Sequence, residues 1–143
     1  MNLPNHPPSI LLAEADRTAM LAHVRELEAA GYSVLTAGDG LACVDRLRTA
    51  LPDLLVLDAE IPWGGGDGVL AVCQEESPLQ PIPTIVMVAR RNASLLYRLA
   101  QYAVGDLLFK PVAPGKLAER AGELLAQRGE TPYPVSPGLR RLP

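Results

Sequence analysis

Short apolar runs and stretches of helical periodicity alternate along most of the chain. Ser9 to Ala13 is a first apolar run, and Arg17 to Ala30 then repeats at helical spacing, with Met20, Val24 and Leu27 inward and Arg25, Glu26 and Glu28 outward. Asp16 stands where it could cap that helix. Gly31 ends it, Tyr32 to Ala37 gives a second strand, and Gly38-Asp39-Gly40 turns the chain into a helix running to about Ala50, with Val44 and Leu47 inward. Pro52-Asp53 introduces the central stretch: Leu54 to Leu57 is unbroken and apolar, and Asp58 stands where it stops. A strand covered by helices on both faces reads as such a continuous run, not as an alternation. Beyond it a glycine-rich loop, Ala59 to Gly68, leads to a third helix capped by Asp67 and ending near Glu76. Thr84 to Val88 is a fourth strand, and Asn92 or Ser94 caps a fourth helix carrying Leu95, Leu96, Leu99 and Tyr102. The last strand, Leu107 to Phe109, stops at Lys110-Pro111, and a final helix from about Pro114 to Arg128 buries Leu117, Ala121, Leu124 and Leu125.

Five strands alternating strictly with five helices specify a doubly wound parallel sheet with right-handed crossovers. The expected architecture is a flavodoxin-like (βα)5 three-layer sandwich with strand order 2-1-3-4-5. One domain spans residues 9–128. Before it, Met1 to Pro8 is a proline-broken, disordered leader; after it, Gly129 to Pro143 is a proline-rich tail or linker.

At 143 residues and 48% hydrophobic composition the chain buries a core without disulfides or structural metals. Its net charge of -3 and pI near 5.3 argue against a nucleic-acid partner for this domain. Cys43 and Cys73 lie in apolar-patterned helices and read as small buried hydrophobes. No run has the length of a membrane span and no signal peptide is evident, so a cytoplasmic protein is expected.

The strand order carries the candidate chemistry. It brings the carboxyl ends of the first, third, fourth and fifth strands to one rim, and with them Glu14, Asp16, Asp58, Val88, Ala89 and Lys110. Carboxylates facing a lysine suit a small hard cation and a phosphoryl group, and a carboxylate can itself be the nucleophile, forming an acyl phosphate.

From about Ser9 to Arg128 the chain resembles the receiver domain of two-component response regulators. The motifs that carry the resemblance are Ile10 to Glu14, Asp39-Gly40, Pro52 to Asp58, Ile61-Pro62 with Asp67-Gly68, Pro83 before the fourth strand, and Lys110-Pro111. The resemblance implies a regulatory module, not an enzyme, in which Asp58 accepts a phosphoryl group from a histidine kinase and Lys110 contacts the phosphate. It also implies a magnesium site formed by Glu14, Asp58 and the backbone carbonyl of Glu60. The implied partners are a histidine kinase or a downstream regulatory protein, and a second copy bound through the fourth helix, fifth strand and fifth helix.

Three positions depart from the family pattern. The second acid of its acidic pair falls on Ala15, the hydroxyl residue ending the fourth strand falls on Val88, and the switching aromatic falls on Leu107. The loop from Pro62 to Asp67 is also two residues longer, with Trp63 and three glycines in it. Magnesium is therefore expected to bind weakly or not at all, and the reading is a pseudo-receiver: an interaction module with weak or absent phosphorylation-driven switching. The alternatives are a phosphorylatable regulator and, remotely, a flavodoxin-like cofactor binder. Plainer roles stand beside these: Asp58 and Lys110 as a rim ion pair, Glu14 and Asp16 as solvated strand-end and cap residues, and Arg90-Arg91 as a solvated pair or anion contacts. Trp63 is a partner anchor or a lid over the rim, and His6 and His23 are surface residues.

Overall fold

The structure, a computed structural model, describes residues 7–90 and 92–128. Most of the expected leader, all of the tail, Arg91 and His6 fall outside the described residues. Strands β1 (Ser9–Ala13), β2 (Ser33–Ala37), β3 (Leu54–Asp58), β4 (Thr84–Ala89) and β5 (Asp106–Lys110) alternate with helices α1 (Arg17–Ala29), α2 (Gly40–Ala50), α3 (Gly65–Glu75), α4 (Ala93–Leu99) and α5 (Lys116–Arg128). All strand pairs are parallel and the sheet order is β2-β1-β3-β4-β5, the doubly wound flavodoxin-like arrangement that the pattern predicts.

Two cores lie on opposite faces of this sheet, because successive strand residues point to opposite sides. Leu11, Leu55, Leu57, Val86 and Val88 pack with Cys43 and Leu47 of α2, Val69 and Leu70 of α3, and Leu95 and Leu99 of α4. Ile10, Leu12, Leu54, Val56, Ile85 and Met87 pack with Leu27 of α1 and Leu117, Ala121 and Leu124 of α5. Every residue of β3 is buried, the physical reason its sequence shows no alternation.

Local differences from the sequence reading have identifiable causes. Asp16 occupies the cap position of α1 but its side chain makes no capping bond; its backbone carbonyl accepts from the N–H of Met20 at 2.9 Å instead. Asp67 does not cap α3. Gly64, at φ 95°, lets the helix begin at Gly65, which places Asp67 in its first turn, where a carboxylate meets the positive end of the helix dipole. Helix α4 stops at Leu99, and Tyr102 packs on the α2–α3–α4 core from outside it. Leu125, Met20 and Val24 are half-buried against the α1–α5 core. Strand β5 starts at Asp106, registered against Ile85, and that buried acid accepts from the N–H of Leu107 at 2.9 Å and pairs with Arg120.

Candidate functional site

The pleat that builds the α1–α5 core also builds the rim. Ile10 and Leu12, Leu54 and Val56, and Leu108 face that core, and Glu14, Asp58 and Lys110 come one alternation later on the same three strand paths. Ala13 is registered against Leu57, so Glu14 and Asp58 follow side by side, while Ala89 of β4 pairs with Lys110. Lys110 reaches past β4 and donates from Nζ to Asp58 Oδ1 at 2.7 Å. Its peptide bond to Pro111 is cis.

Glu14 is 3% exposed and Asp58 5%, so two buried acids meet a lysine that is itself half-buried. Burial, a side-chain hydrogen bond with Asp58 and the charge of Asp58 push the Glu14 carboxyl up to about 7; a bond from the backbone N–H of Asp16 and the charge of Lys110 oppose the rise. Glu14 thus holds a proton under conditions in which ordinary carboxylates have lost theirs. That N–H donates to Glu14 Oε2 at 3.2 Å. The Asp16 side chain is exposed, as is Ala15.

Glu60 meets Asp58 through its backbone: its N–H donates to Asp58 Oδ1 at 3.0 Å. Its exposed carboxylate turns to the neighbouring loop, where Oε2 accepts from Asn92 Nδ2 at 2.9 Å. Val88 is fully buried, and both it and the half-buried Leu107 pack with the α2–α3–α4 core, the face opposite that of Asp58. Trp63 points outward, 70% exposed, from a backbone at φ 63°. It does not fold back as a lid. Arg90 lies over the ring of Phe109, 4.4 Å from guanidinium carbon to centroid, a cation–π contact. Burial lowers the half-buried His23. Burial likewise pushes the Cys43 thiol up to about 12 and the Cys73 thiol to about 11, so both stay protonated and unreactive at neutral pH.

Among the described residues, no group of three or more His, Cys, Asp or Glu side chains converges as a metal cluster. The side-chain donors that this rim offers a divalent ion are the carboxylates of Glu14 and Asp58, and Lys110 Nζ already lies 2.7 Å from one of them. Three contacts have no local sequence signature: the Glu60–Asn92 bridge, the ion pair of Arg98 Nε with Asp67 Oδ2 at 3.0 Å, and the Asp106–Arg120 pair with its extension to Glu123.

The chain belongs to the response regulator receiver domain family, which it matches over residues 10–122. It is 33% identical over 134 residues to the response regulator MprA of Mycobacterium sp. (strain KMS), an alignment covering 93% of this chain and 57% of that protein. It is 29% identical over 127 residues to hybrid signal transduction histidine kinase D of Dictyostelium discoideum, covering 89% of this chain and 8% of that one. A putative response regulator from Chloroflexus aurantiacus J-10-fl superposes with a TM-score of 0.78 at 25% identity, covering 84% of this chain and 98% of that one. The chain therefore spans little more than half of the mycobacterial regulator and a small fraction of the hybrid kinase.

Proposed function

We propose that this two-component receiver domain acts as a regulatory protein-interaction module in which phosphorylation of Asp58 drives little switching. The observation that carries the reading is Val88: fully buried at the end of β4, it has no hydroxyl with which to meet a phosphoryl group on Asp58. A ligand shifts an equilibrium only by its differential interaction with two states, and here the contact that would supply the difference is missing. Leu107 removes a second part, since it has neither ring nor hydroxyl. Ala15, without a ligand atom, removes a third. Magnesium prefers carboxylate and carbonyl oxygen together with water, and the residues left for it are Glu14, Asp58 and the carbonyl of Glu60. With one acid fewer, its affinity falls by about 10-fold or more on the scale of disturbed metal shells.

A second reading, a working phosphoacceptor, is favoured by the Asp58–Lys110 pair. In that chemistry an Asp58 carboxylate oxygen bonds to phosphorus as the bond from phosphorus to the donor kinase's histidine nitrogen breaks, and Lys110 offsets the added charge. The cofactor-binding reading rests on the shared fold alone. The partners proposed are a histidine kinase or a downstream regulatory protein, and a second copy through α4, β5 and α5, where Tyr97 is 76% exposed. No helix among the described residues is long and apolar enough to cross a membrane.

Beryllofluoride with magnesium, followed by backbone amide chemical shifts, separates the two readings. Changes confined to the rim around Asp58 and the first turn of α4 are expected; large changes along the whole of α4 and into β5 overturn the proposal. Intact mass after acetyl phosphate treatment, compared with Asp58→Ala, reports acceptance of a phosphoryl group independently.

A further inference from the structure

Asp58 is connected to α4 by a run of hydrogen bonds that passes through a single residue. The N–H of Glu60 donates to Asp58 Oδ1 at 3.0 Å, and the carboxylate of the same residue accepts from Asn92 Nδ2 at 2.9 Å. The other end of the Asn92 amide, Oδ1, accepts from the N–H of Leu95 at 3.3 Å and caps α4. One amide therefore bridges to Glu60 with its nitrogen and caps the helix with its oxygen. Losing the bridge leaves the capping oxygen held only by the Leu95 N–H and a long 3.5 Å bond from the Ser94 hydroxyl.

Helix α4 makes this arrangement matter. At seven residues it is shorter than an isolated helix sustains in water, so its first turn depends on its cap and on its tertiary ties. The tie from Arg98 to Asp67 holds its last turn, not its first. The direct route from Asp58 to this region through a hydroxyl at position 88 is absent, whereas the route through Glu60 is present in the resting molecule.

We infer that Glu60 couples the state of the Asp58 carboxylate to the order of the α4 N-terminus by holding the capping side chain of Asn92. The inference deepens the receiver reading and rests on it only in naming Asp58 as the input. It agrees with weak switching, because the run of bonds ends in the first turn of α4 and does not enter β5.

Residue-resolved amide hydrogen exchange on the full chain tests it, with exchange at Leu95 followed beside that at the buried Leu27 of α1, whose own change reports any shift in global stability. Asn92→Ala is expected to speed Leu95 exchange by about fivefold, the usual effect of losing a cap. Glu60→Ala is expected to speed the same amide. Glu60→Gln, whose amide oxygen still accepts from Asn92, is expected to restore its protection. Asp58→Ala should then speed Leu95 exchange in the wild-type and Glu60→Gln backgrounds and add nothing in the Glu60→Ala background. A further increase in that last background overturns the inference, as does a Leu95 amide that ignores Asp58→Ala in the wild type. Asn92→Asp keeps the capping oxygen and loses the donor to Glu60. If Glu60→Ala does not fold, the loss of the Asp58→Ala effect is sought in the Asn92→Asp background, and its persistence there overturns the coupling. None of these measurements requires a phosphodonor, so failure here is distinct from failure of Asp58 to accept a phosphoryl group.

Discussion

At Glu14 burial and a neighbouring acid act in the same direction. Desolvation is the larger cause and the hydrogen bond and charge of Asp58 add to it, taking the carboxyl from an ordinary 4.5 to about 7. Between those values the native protein binds a proton that the unfolded chain has released. Stability contributed by this group is therefore complete below about pH 4.5 and is lost as pH rises through 7. Glu14→Gln keeps the shape and hydrogen-bonding capacity and abolishes the titration. The variant is expected to be more stable than the wild type at pH 8, by an amount on the order of 2 kcal/mol, and to match it near pH 4. Urea unfolding of both proteins across that range measures the difference. Equal slopes would place the proton elsewhere in the rim. Lys110 sits on the partner acid, at 2.7 Å, and leaves Glu14 as the acid without a cation in direct contact.

At the scale of elements, backbone approach decides what the glycine loop after β3 can be. The N–H of Gly40 donates to the carbonyl of Pro62 at 2.7 Å, and a Cβ at position 40 would stand 1.9 Å from the carbonyl oxygen of Trp63. Ordinarily Gly→Ala in a helix gains about 0.5–1 kcal/mol. At Gly122 of α5, where an added Cβ meets only the Tyr32 hydroxyl at 3.4 Å, that gain is expected. At Gly40 the clash with fixed backbone outweighs it, and Gly40→Ala is expected to lose about 1–3 kcal/mol, the scale of overpacking. Chemical denaturation of the two variants against wild type checks the opposite signs. This docking of loop on helix also shows where the sequence stopped being informative. Leu54 to Leu57 announce a doubly covered strand because all four are buried, and Asp58 is legible because a charge ends an apolar run. Asp67 as a cap was misleading: the glycines before it admit an earlier start, which only the backbone reveals. The Asp106–Arg120 and Glu60–Asn92 contacts join residues 14 and 32 apart on different elements, separations at which side-chain pairing leaves no periodic trace.

Across the whole molecule, the two faces of the sheet divide the labour of a receiver. Glu14, Asp58 and Lys110 follow the strand alternation that faces α1 and α5, whereas Val88 and Leu107 pack toward α2, α3 and α4. A signal arriving at Asp58 must therefore cross the sheet edge to reach α4, and side chains with polar atoms are what could carry it. Val88→Thr tests whether the route through residue 88 is what the chain lacks. Threonine has nearly the shape of valine, so the core around β4 accommodates it, but its hydroxyl enters a site that is fully buried and lined by apolar neighbours. Without a partner such a group costs about 1–3 kcal/mol, so the resting variant is expected to unfold at lower urea than the wild type. A phosphoryl mimic on Asp58 would give the hydroxyl a partner and offset part of that loss, making the variant's stability depend on beryllofluoride more strongly than the wild type's does. The expected result is a larger rise in unfolding midpoint with beryllofluoride and magnesium in Val88→Thr than in the wild type, accompanied by amide shifts that extend into α4. Equal rises in the two proteins would mean that the buried valine is not what isolates Asp58 from the opposite face.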